Sequence, residues 1–563
     1  MKKIHLYIIT GLFGILANSC LSPDYVSPTV TRQGITSLTA YFTSGTNEDV
    51  AAATYTIPDA STTDNYVIPI PYYYPASSDS TTEAYMTAMK VVAIIANNCK
   101  ISPAINVLDL TQKSSFTFTS PDGTSRTITI SGERVHSSSC AIKSFILTDE
   151  GVTGVIDEDS KTISLISTDD LSSCTADVTL SPHATISPDP TAVHDYNSDV
   201  QFTVTADDGT TTATYTITKN LPNKIANGIR SNSANSLFSV DLTTLGVTNA
   251  DNIHPTLAVI GKYLVVNYGD GSTPIYLKKA TGDKVGSITL GSANATGSVT
   301  SDLNGNMLIC NYATNGSTLN FYKTNSVTAA PSLYLSYNNE TGFSMGSRIH
   351  IQGDLSSNAI IVATCDGPSS QYFVRWIVTD GVIGSPNIVQ AGTSSQWNGF
   401  DGNAKVVSRT TDVSNGYFLG YYDGGNDNIY YFNNSNVTTA NLTGQSNGSG
   451  WGYNNSCLDV RTFNNIQYLA LYAIGYWPDW GLPATAYLYN VSSLSNFSDA
   501  VDTSPALYYS TTETAYTSIG YASDGRTGDV LLFPTTDGYK LDLFYIDNTS
   551  LGVGCIEFDC IDK

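Results

Sequence analysis

The chain has few charged residues, and few of these are basic. Only 13% of its 563 residues are Asp, Glu, Lys or Arg, which is about half the share of an ordinary soluble protein. With 26 Lys and Arg against 49 Asp and Glu, the formal net charge is −23. Such a negative field repels phosphate backbones and anionic headgroups. The composition therefore argues against nucleic acid as a partner and favours neutral or weakly charged ligands.

Several metal-binding and nucleotide-binding motifs are also missing. No cysteine pair has the Cys-x-x-Cys spacing, and no two histidines have the His-x-His or His-Glu-x-x-His spacing, so a zinc site has no support. There is no phosphate-binding Walker loop,. The six histidines are scattered, at His5, His136, His183, His194, His254 and His350. We therefore expect no metal and no cofactor.

Apolar runs of membrane-spanning length are absent, and the one short run lies at the N-terminus. Met1-Lys2-Lys3 precedes an apolar segment over residues 4–17, and Asn18-Ser19-Cys20 follows it. Such a segment is too short for a permanent membrane helix and is typical of a secretion signal. Because a cysteine ends it, the segment resembles a bacterial lipoprotein signal. That resemblance implies removal of residues 1–19 and lipidation of Cys20; an ordinary cleaved signal is the alternative.

Eight cysteines follow Cys20, and one pair of them is a candidate disulfide. Cys140 and Cys174 fall within one repeat of the chain, and an oxidising compartment outside the cytoplasm would allow them to pair,. The remaining six are predicted to be buried thiols: Cys99, Cys310, Cys365, Cys457, Cys555 and Cys560.

Residues that favour β-structure take the place of the charged ones. The chain has 36 Tyr and 45 Gly, and 41% of its residues are apolar, which suits strands joined by polar turns. The first half contains a repeat, in which residues 101–130 resemble residues 186–218 at an offset of 85 to 86 positions. Each copy ends in two alternating strands around an Asp-Gly pair, Asp122-Gly123 and Asp208-Gly209, which predicts a hairpin.

Units of this size with many short strands are typical of immunoglobulin-like β-sandwiches. We therefore predict a linker at 20–33, a first sandwich at 34–134 and a second at 138–220. The first copy is longer and contains a Pro-rich and Tyr-rich segment at 69–75. Both sandwiches are interpreted as spacers.

The pattern changes after residue 225, where strand-like runs recur at intervals of 44 to 62 residues. The runs are 263–268, 307–312, 359–364, 417–422, 467–472 and 529–533. A second strand follows each run within roughly a dozen residues. Antiparallel modules of this size predict an all-β domain at 225–563 with the architecture of a six- or seven-bladed β-propeller. An extra strand at 237–242 is predicted to be a partial seventh blade or the strand that closes the ring. A stack of further β-sandwiches is the alternative.

The tryptophans mark the candidate ligand site. All five lie between 376 and 480, and Trp376 is predicted to be a core residue because it sits in an apolar strand. The others fall in segments rich in Gly, Asn and Pro, where flat rings could stack on sugars and short polar side chains could bind hydroxyl groups. The candidate ligand-binding residues are Trp397, Phe400, Trp451, Tyr476, Trp477, Asp479 and Trp480. Packing between blades is the alternative for each ring.

Catalysis has weaker support in the sequence. Asp401, Asp423, Asp427 and Asp479 lie near the aromatic segments, but Asp is expected in such turns for local hydrogen bonding,. Nothing distinguishes an acid from a nucleophile among them. Residues 421–428 resemble a calcium loop superficially but lack its closing glutamate, so we interpret them as a hairpin turn,. We predict no catalytic residue and no enzyme activity.

The order of these features resembles a known family: the outer-membrane glycan-binding lipoproteins of polysaccharide-utilisation systems. The shared features are a lipoprotein cysteine at Cys20, a short linker, tandem immunoglobulin-like units and a distal β-domain. The resemblance implies a lipid-anchored protein at the cell surface that holds polysaccharide or oligosaccharide for a porin and glycosidases. Such proteins carry an acidic cluster after the cysteine, whereas this chain has only Asp24 there. Location at the periplasmic face of the outer membrane is therefore the alternative to the cell surface. A polysaccharide lyase or glycoside hydrolase, and an adhesin or assembly scaffold with protein partners, are the alternative functions.

Overall fold

The chain is an all-β protein. The computed structural model describes residues 33–562, apart from 149, 252, 368, 398–403, 424–426, 478–479, 481 and 513–524. In these residues the regular elements are strands and short 3-10 turns, with no α-helix. Accordingly, this part of the chain offers no helix of the length and apolarity needed to cross a membrane. Two compact units are separated between Leu221 and Pro222.

The first unit begins with two four-stranded sheets that share one core. The strands are β1 (Ile35–Phe42), β2 (Ala51–Thr56), β3 (Asn65–Pro71), β4 (Met89–Ile95), β5 (Lys100–Ser102), β6 (Val107–Leu108), β7 (Ser114–Thr119) and β8 (Ser125–Val135). One sheet has the order β2-β1-β4-β6 and the other β3-β8-β7-β5. Inward residues of both sheets, among them Leu38 and Ile128, form the core. The alternation of buried and exposed side chains in β7 is that of a strand with one face in a core,.

Two further sheets repeat this arrangement in the second half of the unit. The strands are β9 (Ile142–Leu147), β10 (Val152–Thr153), β11 (Val155–Asp157), β12 (Thr162–Ile166), β13 (Ala176–Leu180), β14 (Thr185–Ser187), β15 (Val200–Thr205) and β16 (Thr212–Asn220). The sheet orders are β10-β9-β13 and β11-β12-β16-β15-β14. The predicted Asp-Gly hairpins are confirmed, because β7 pairs with β8 and β15 with β16, both antiparallel.

Stacked rings connect the two halves of the first unit. Tyr73 stacks on His183 with ring centroids 4.0 Å apart, and Tyr72 stacks on His136 at 3.9 Å. The guanidinium of Arg134 covers Tyr72, and His136 contacts Asp207 at 2.9 Å. The Tyr-rich segment that lengthens the first copy thus packs against the second copy.

The second unit consists of six antiparallel sheets. Its strands are β17 (Asn235–Asp241), β18 (Thr256–Ile260), β19 (Tyr263–Asn267), β20 (Ile275–Lys278), β21 (Lys284–Ser287), β22 (Val299–Ser301), β23 (Met307–Cys310), β24 (Thr318–Thr324), β25 (Ser332–Asn338), β26 (Met345–Gly353), β27 (Ala359–Cys365), β28 (Tyr372–Thr379), β29 (Val382–Ile383), β30 (Asn387–Gln390), β31 (Ala404–Ser408), β32 (Tyr417–Tyr421), β33 (Ile429–Phe432), β34 (Thr438–Leu442), β35 (Tyr453–Phe463), β36 (Ile466–Gly475), β37 (Thr485–Asn490), β38 (Leu507–Thr512), β39 (Gly528–Pro534), β40 (Lys540–Asp547) and β41 (Gly552–Asp559). Five sheets take consecutive strands in chain order, β18–β21, β22–β25, β26–β30, β31–β34 and β35–β38.

The sixth sheet joins the two ends of the unit. Its order is β17-β41-β40-β39, so the first strand of the unit pairs with the last. The strand predicted at 237–242 corresponds to β17, and it belongs to this sixth sheet through its pairing with the last strand of the unit. The predicted run at 529–533 also differs from the other five: it is the first strand of its sheet, whereas they are second strands.

The first strands of the six sheets lie side by side in chain order, and β39 lies beside β18. Because the strands are antiparallel, each first strand begins at the sheet edge where the second strand ends; we call this the upper edge,. Hydrogen bonds link the upper edges of consecutive sheets. They join Asn267 to Gly297, Ser298 to Gly346, Trp397 to Cys365, Asn455 to Asp427, Asn454 to Arg526, and Asn548 to Ile253.

Charged side chains of the first strands meet in the interior of this unit. Asp459 of β35 bonds His350 of β26 at 2.9 Å and Arg461 at 3.0 Å, and all three are buried. Lys405 of β31 pairs with Asp529 of β39 at 2.6 Å. Buried charges are tolerated when they are paired and hydrogen-bonded. We interpret this cluster as structural, because its members bond one another.

Candidate functional site

Three of the predicted tryptophans form one group at an upper edge, and two of the three are exposed. Trp477 and Trp480 stack with ring centroids 5.0 Å apart and planes 20° apart, and Trp451 meets Trp480 edge-on at 6.5 Å. Trp480 is 68% exposed and Trp451 45%. Trp477 is half-buried and packs on the core between β31–β34 and β35–β38. We call these three residues the tryptophan patch.

The loops of one sheet form the patch. Trp451 lies in the short turn that precedes β35, whereas Trp477 and Trp480 follow β36. The backbone N–H of Tyr476 donates to the carbonyl of Gly452 at 2.7 Å, and the N–H of Trp480 donates to the carbonyl of Trp477 at 2.9 Å. The first bond joins two segments that are more than twenty residues apart in the chain, and the second closes a local turn.

The other predicted site residues do not join this patch. Trp397 is 1% exposed, and its indole N–H donates to the carbonyl of Cys365 at 2.8 Å, so the ring packs between two sheets. Neither face of the Trp397 ring is therefore accessible to a ligand. For this residue the structure favours the alternative of packing between sheets. Trp376 is fully buried, as expected for a core residue. Phe400, Asp401 and Asp479 lie outside the described residues, as does Cys20.

A buried polar cluster adjoins the patch through Tyr476. The ring of Tyr476 lies 5.1 Å from that of Tyr422, and burial, with the nearby Tyr422 and Asp427, raises the pKa of Tyr476 well above its usual value. Asp427 is 0% exposed, and burial together with the charge of Asp423 raises its pKa to about 8. At neutral pH the carboxyl of Asp427 is therefore mostly protonated.

Arg526 and Arg348 give the same region its positive groups. Arg526 is buried and favours the ionised form of Tyr476 electrostatically, although burial outweighs this effect. Its carbonyl accepts a 2.6 Å hydrogen bond from the side chain of Asn454. Arg348 donates to Thr527 and, at 2.8 Å, to the carbonyl of Gly528. The upper edge thus combines exposed rings with buried donors and acceptors.

Sequence reasoning found the rings but missed most of this polar surround. Asp427 stood among the candidate carboxylates, while Asn455, Arg348 and Arg526 were not singled out. The available signal was the run Asn454-Asn455-Ser456 at the start of a strand whose residues are nearly all buried. The register shifts between Asn454 and Cys457, so a bulge interrupts the pairing there, and bulges often redirect side chains at functional sites.

A second depression lies at the upper edges of β18–β21 and β22–β25. It has a volume of about 370 Å³ and is lined by His254, Asp270, Thr296, Tyr312, Ser347 and three glycines. Among the described lining residues its rings are the phenol of Tyr312 and the polar imidazole of His254, with no tryptophan. It therefore lacks the flat apolar surface of the tryptophan patch.

Two other kinds of site receive no support from the described residues. No group of three or more His, Cys, Asp or Glu side chains is arranged to hold a metal. Residues Gly444 to Gly448 have the Gly-x-Ser-x-Gly spacing, yet exposed Ser446 bonds Asp502 through its backbone N–H at 2.8 Å and through its hydroxyl. A nucleophile elbow would need a strand-to-helix turn and a histidine partner.

Two cysteines of the first unit, Cys140 and Cys174, lie at its second core, whereas Cys99 packs against the first. Cys174 is buried in the second core and Cys140 packs against that core. Both are free thiols in the structure. Their pairing stays a prediction. Cys310, Cys365, Cys457, Cys555 and Cys560 are buried free thiols, and Cys99 is partly buried.

Comparison with known proteins finds three family matches along the chain. Residues 236–559 match the family described as "Domain of unknown function (DUF8500)". Residues 15–132 match "Domain of unknown function (DUF5018)", and residues 142–219 match "Domain of unknown function (DUF8499)". No curated protein matches the chain.

Solved structures give distant similarities. A DUF4623 family protein from Bacteroides eggerthii DSM 20697 is 16% identical with a TM-score of 0.44, covering 75% of this chain and 99% of its own. Hydrazine synthase of Kuenenia stuttgartiensis is 11% identical with a TM-score of 0.30, covering 66% and 92%. A luciferin-regenerating enzyme is 9% identical with a TM-score of 0.33, covering 58% and 95%. Similarities this distant carry no site residue across.

Proposed function

The chain belongs to the family described as "Domain of unknown function (DUF8500)", and we propose that it is a glycan-binding protein that does not cleave its ligand. The tryptophan patch carries this proposal. Most large apolar side chains of a folded protein are buried, and clustered exposed rings usually mark a binding surface. Trp480 is 68% exposed, whereas Trp477, on which it stacks, packs against the core between two sheets.

The chemistry of the patch suits a sugar ring. A stacked pair of indoles offers a flat apolar face, and the C–H face of a pyranose is apolar while its hydroxyls need polar partners. Trp451 stands roughly perpendicular to Trp480, at 67°, so a ligand could contact two faces at once. The net charge of −23 favours a neutral glycan over a phosphorylated or sulfated one,.

The arrangement of the second unit supports the finer fold that the sequence predicts. We infer that the six sheets are the blades of a six-bladed β-propeller. The supporting observations are the neighbouring first strands, the contact of β39 with β18, and the antiparallel sheet in which β17, from the start of the unit, pairs with β41, from its end,. The paired sheets of the first unit are consistent with two immunoglobulin-like sandwiches, for which we propose a spacer role.

The place of action follows from the N-terminal motif. We propose that Cys20 carries the lipid, that the protein is anchored in the outer membrane, and that its glycan is passed to a porin and glycosidases. The lipoprotein-like sequence before Cys20 supports this part of the proposal,. Globomycin treatment of cells, which blocks lipoprotein signal cleavage, should shift the mature mass if Cys20 is lipidated.

Affinity electrophoresis and calorimetry against a panel of neutral and acidic polysaccharides test the binding. We expect retardation by at least one neutral glycan, loss of at least tenfold in affinity for Trp480→Ala, and partial retention for Trp480→Phe. Leu333→Ala is the matched control, because Leu333 is also exposed but lies on outer strand β25. Unchanged affinity in a Trp477→Ala, Trp480→Ala double variant would rule out the patch.

The same preparation distinguishes the alternative functions. Release of reducing ends or unsaturated products from a polysaccharide would identify a glycoside hydrolase or a lyase. Retention of protein partners without any retained glycan would identify an adhesin or scaffold.

A further inference from the structure

Arg375 occupies a position between two sheets of the second unit. Side chains alternate between the two faces of a strand. On β28, Val374 and Trp376 pack in the core towards β22–β25, whereas Phe373 packs in the core towards β31–β34. Arg375 is on the same face as Phe373, and it pairs with Asn387 of the outer strand β30. An arginine therefore lies at the junction of two sheets, next to a buried phenylalanine on the same face.

Arg375 has no acidic partner in the structure. Its side chain is half-buried, its Nε is buried without an acceptor, and the ion pairs of the described residues include none to it. Two buried cations of the same unit are paired with carboxylates, Arg461 with Asp459 at 3.0 Å and Lys405 with Asp529 at 2.6 Å. A cation removed from water needs an anion or strong acceptors in place of the water. Arg375 lacks both.

A pocket, which we call the Arg375 pocket, opens beside this guanidinium. Its volume is about 370 Å³, which is within the usual range for small-ligand sites. Apart from Arg375, the polar groups of its lining are one phenol and several carboxamides, and no carboxylate is among the described lining residues. The carboxamides are those of Asn387, Gln390, Asn433, Asn434 and Asn436. One positive charge among neutral hydrogen-bonding groups suits a monoanion that carries further polar groups.

Local hydrogen bonds occupy the carboxamide oxygens of two of these residues. The hydroxyl of Tyr417 donates to Oδ1 of Asn436 at 3.0 Å, and Oδ1 of Asn433 accepts from two backbone N–H groups of its own turn at 2.9 and 3.1 Å. The NH₂ groups of both side chains are thereby left to donate. Tyr417 is also the one described group that favours the charged form of Arg375, against the burial that lowers its pKa. The lining thus offers a cation and N–H donors to a ligand rich in acceptors.

We propose that the Arg375 pocket binds a hydroxylated carboxylate, such as a uronic acid. The planar fork of a guanidinium matches the two oxygens of a carboxylate, and carboxamides can bond sugar hydroxyls both as donors and as acceptors. A single arginine neutralises one negative charge. The net charge of −23 opposes dianions such as sulfate and phosphate,.

The Arg375 pocket is separate from the tryptophan patch. Asn433, Asn434 and Asn436 lie in the turn between β33 and β34, at the end of the sheet opposite the upper edge,. The patch is formed by the upper-edge loops of β35–β38. Binding of a uronic acid to the Arg375 pocket therefore does not depend on glycan binding at the patch.

Titration calorimetry on the full chain tests the pocket with methyl galacturonoside and methyl glucuronoside, and with methyl galactoside and methyl glucoside as the matched neutral ligands. We expect a dissociation constant on the order of 1 mM for at least one uronoside. Its neutral counterpart should bind at least tenfold more weakly, because it lacks the carboxylate. Acetate should also bind at least tenfold more weakly, because it lacks the hydroxyls.

Variants of charged residues distinguish the Arg375 pocket from general attraction of anions. Arg375→Gln should weaken uronoside binding at least tenfold and abolish the preference over the neutral sugar, whereas Arg375→Lys should retain part of it, because lysine keeps the charge without the fork. Lys262→Gln is the matched control, since it removes one positive charge from the exposed turn between β18 and β19. Trp480→Ala should bind the uronoside as the wild type does.

A second variant keeps the test decisive if Arg375→Gln folds poorly. Asn387 is exposed and lies opposite Arg375 across the paired strands, so Asn387→Asp supplies a carboxylate from within the chain. We expect uronoside binding at least tenfold weaker in this variant, with no loss of folded protein by circular dichroism.

Several results would overturn the proposal. They are equal affinity for the uronoside and its neutral counterpart, no binding of either, full uronoside affinity in Arg375→Gln, and an equal loss in Lys262→Gln. Loss of uronoside binding in Trp480→Ala would place the ligand at the tryptophan patch instead. Acetate binding as tight as that of the uronoside would show that the carboxamides recognise no sugar.

Discussion

His350 and Asp459 share a 2.9 Å hydrogen bond although they lie on the first strands of two sheets that are not consecutive. Both side chains are nearly fully buried, and burial lowers the pKa of His350 to about 4. The imidazole is therefore neutral at pH 7, and Arg461, 3.0 Å from Asp459, supplies the positive charge. The His350–Asp459–Arg461 group thus consists of one charge pair and a neutral histidine, and the Lys405–Asp529 pair is a second charge pair in the same interior.

Removing Asp459 should destabilise the second unit strongly. Asp459 also accepts a hydrogen bond from the backbone N–H of Leu532 at 2.8 Å, so its loss leaves Arg461 buried without its carboxylate. We expect Asp459→Ala to lower the free energy of unfolding by about 3 to 5 kcal/mol. Denaturant unfolding followed by tryptophan fluorescence measures this change. A loss below about 1 kcal/mol would show that Arg461 finds another partner.

The pH dependence of stability should report Asp427. Its pKa is about 8 in the folded chain and near 3.8 in the unfolded chain, so the folded state binds more protons between these values. The protonated carboxyl makes its full contribution to the free energy of unfolding below about pH 4. This contribution is lost as the pH rises to 8, by at most about 1.4 kcal/mol per pH unit.

The measurement is the difference in unfolding free energy between the wild type and Asp427→Asn as a function of pH. The difference should fall steadily from pH 5 to pH 8, because Asn does not titrate. A flat difference would mean that Asp427 ionises freely in the folded chain.

Two tryptophans should respond to alanine substitution in opposite ways. Trp397 fills the core between two sheets and donates to Cys365, so Trp397→Ala should cost about 3 to 5 kcal/mol of stability. Trp480 is mostly exposed, so Trp480→Ala should change stability by less than about 1 kcal/mol. Thermal unfolding by circular dichroism compares them. Equal losses would show that Trp480 is a packing residue.

Substitution of Tyr73 should loosen the first unit without affecting the second. Tyr73→Ala removes the stack on His183, which is worth about 0.5 to 1.5 kcal/mol, whereas Tyr73→Phe retains it. Hydrogen exchange measured by mass spectrometry should show faster exchange around residues 72–82 and 181–187 in the alanine variant alone. Because all five tryptophans lie after residue 375, tryptophan fluorescence should be unchanged. Equal exchange in both variants would show that the stack contributes nothing.

Much of the fold can be predicted from local patterns. Alternation around Asp122-Gly123 and Asp208-Gly209 correctly predicts β7–β8 and β15–β16, because turn chemistry and one buried face act over a few residues. All six regular apolar runs are correctly predicted as strands of separate sheets, and five of them are middle strands with buried side chains on both faces.

The other first strands, apart from β39, are not predicted in this way because the partners that bury them are distant in the chain. β35 contains Asn454, Asp459 and Arg461 and does not resemble a buried strand, yet all three are buried by partners on other sheets. The site shows the same contrast. Exposed tryptophans between glycines are visible in the sequence, whereas their grouping depends on the distance between two loops, which no local pattern gives.

The pairing of β17 with β41 has a consequence for synthesis. Asn235 pairs with Glu557 across the sheet. During synthesis the ribosome therefore adds more than 300 residues after β17 before its partner strand β41 is complete. At typical translation speeds this takes roughly 15 to 65 seconds. During that time β17 is an unpaired strand edge, open to association with other chains. An export pathway that delivers the chain unfolded would remove this hazard, because both strands would then reach the folding compartment before either is paired.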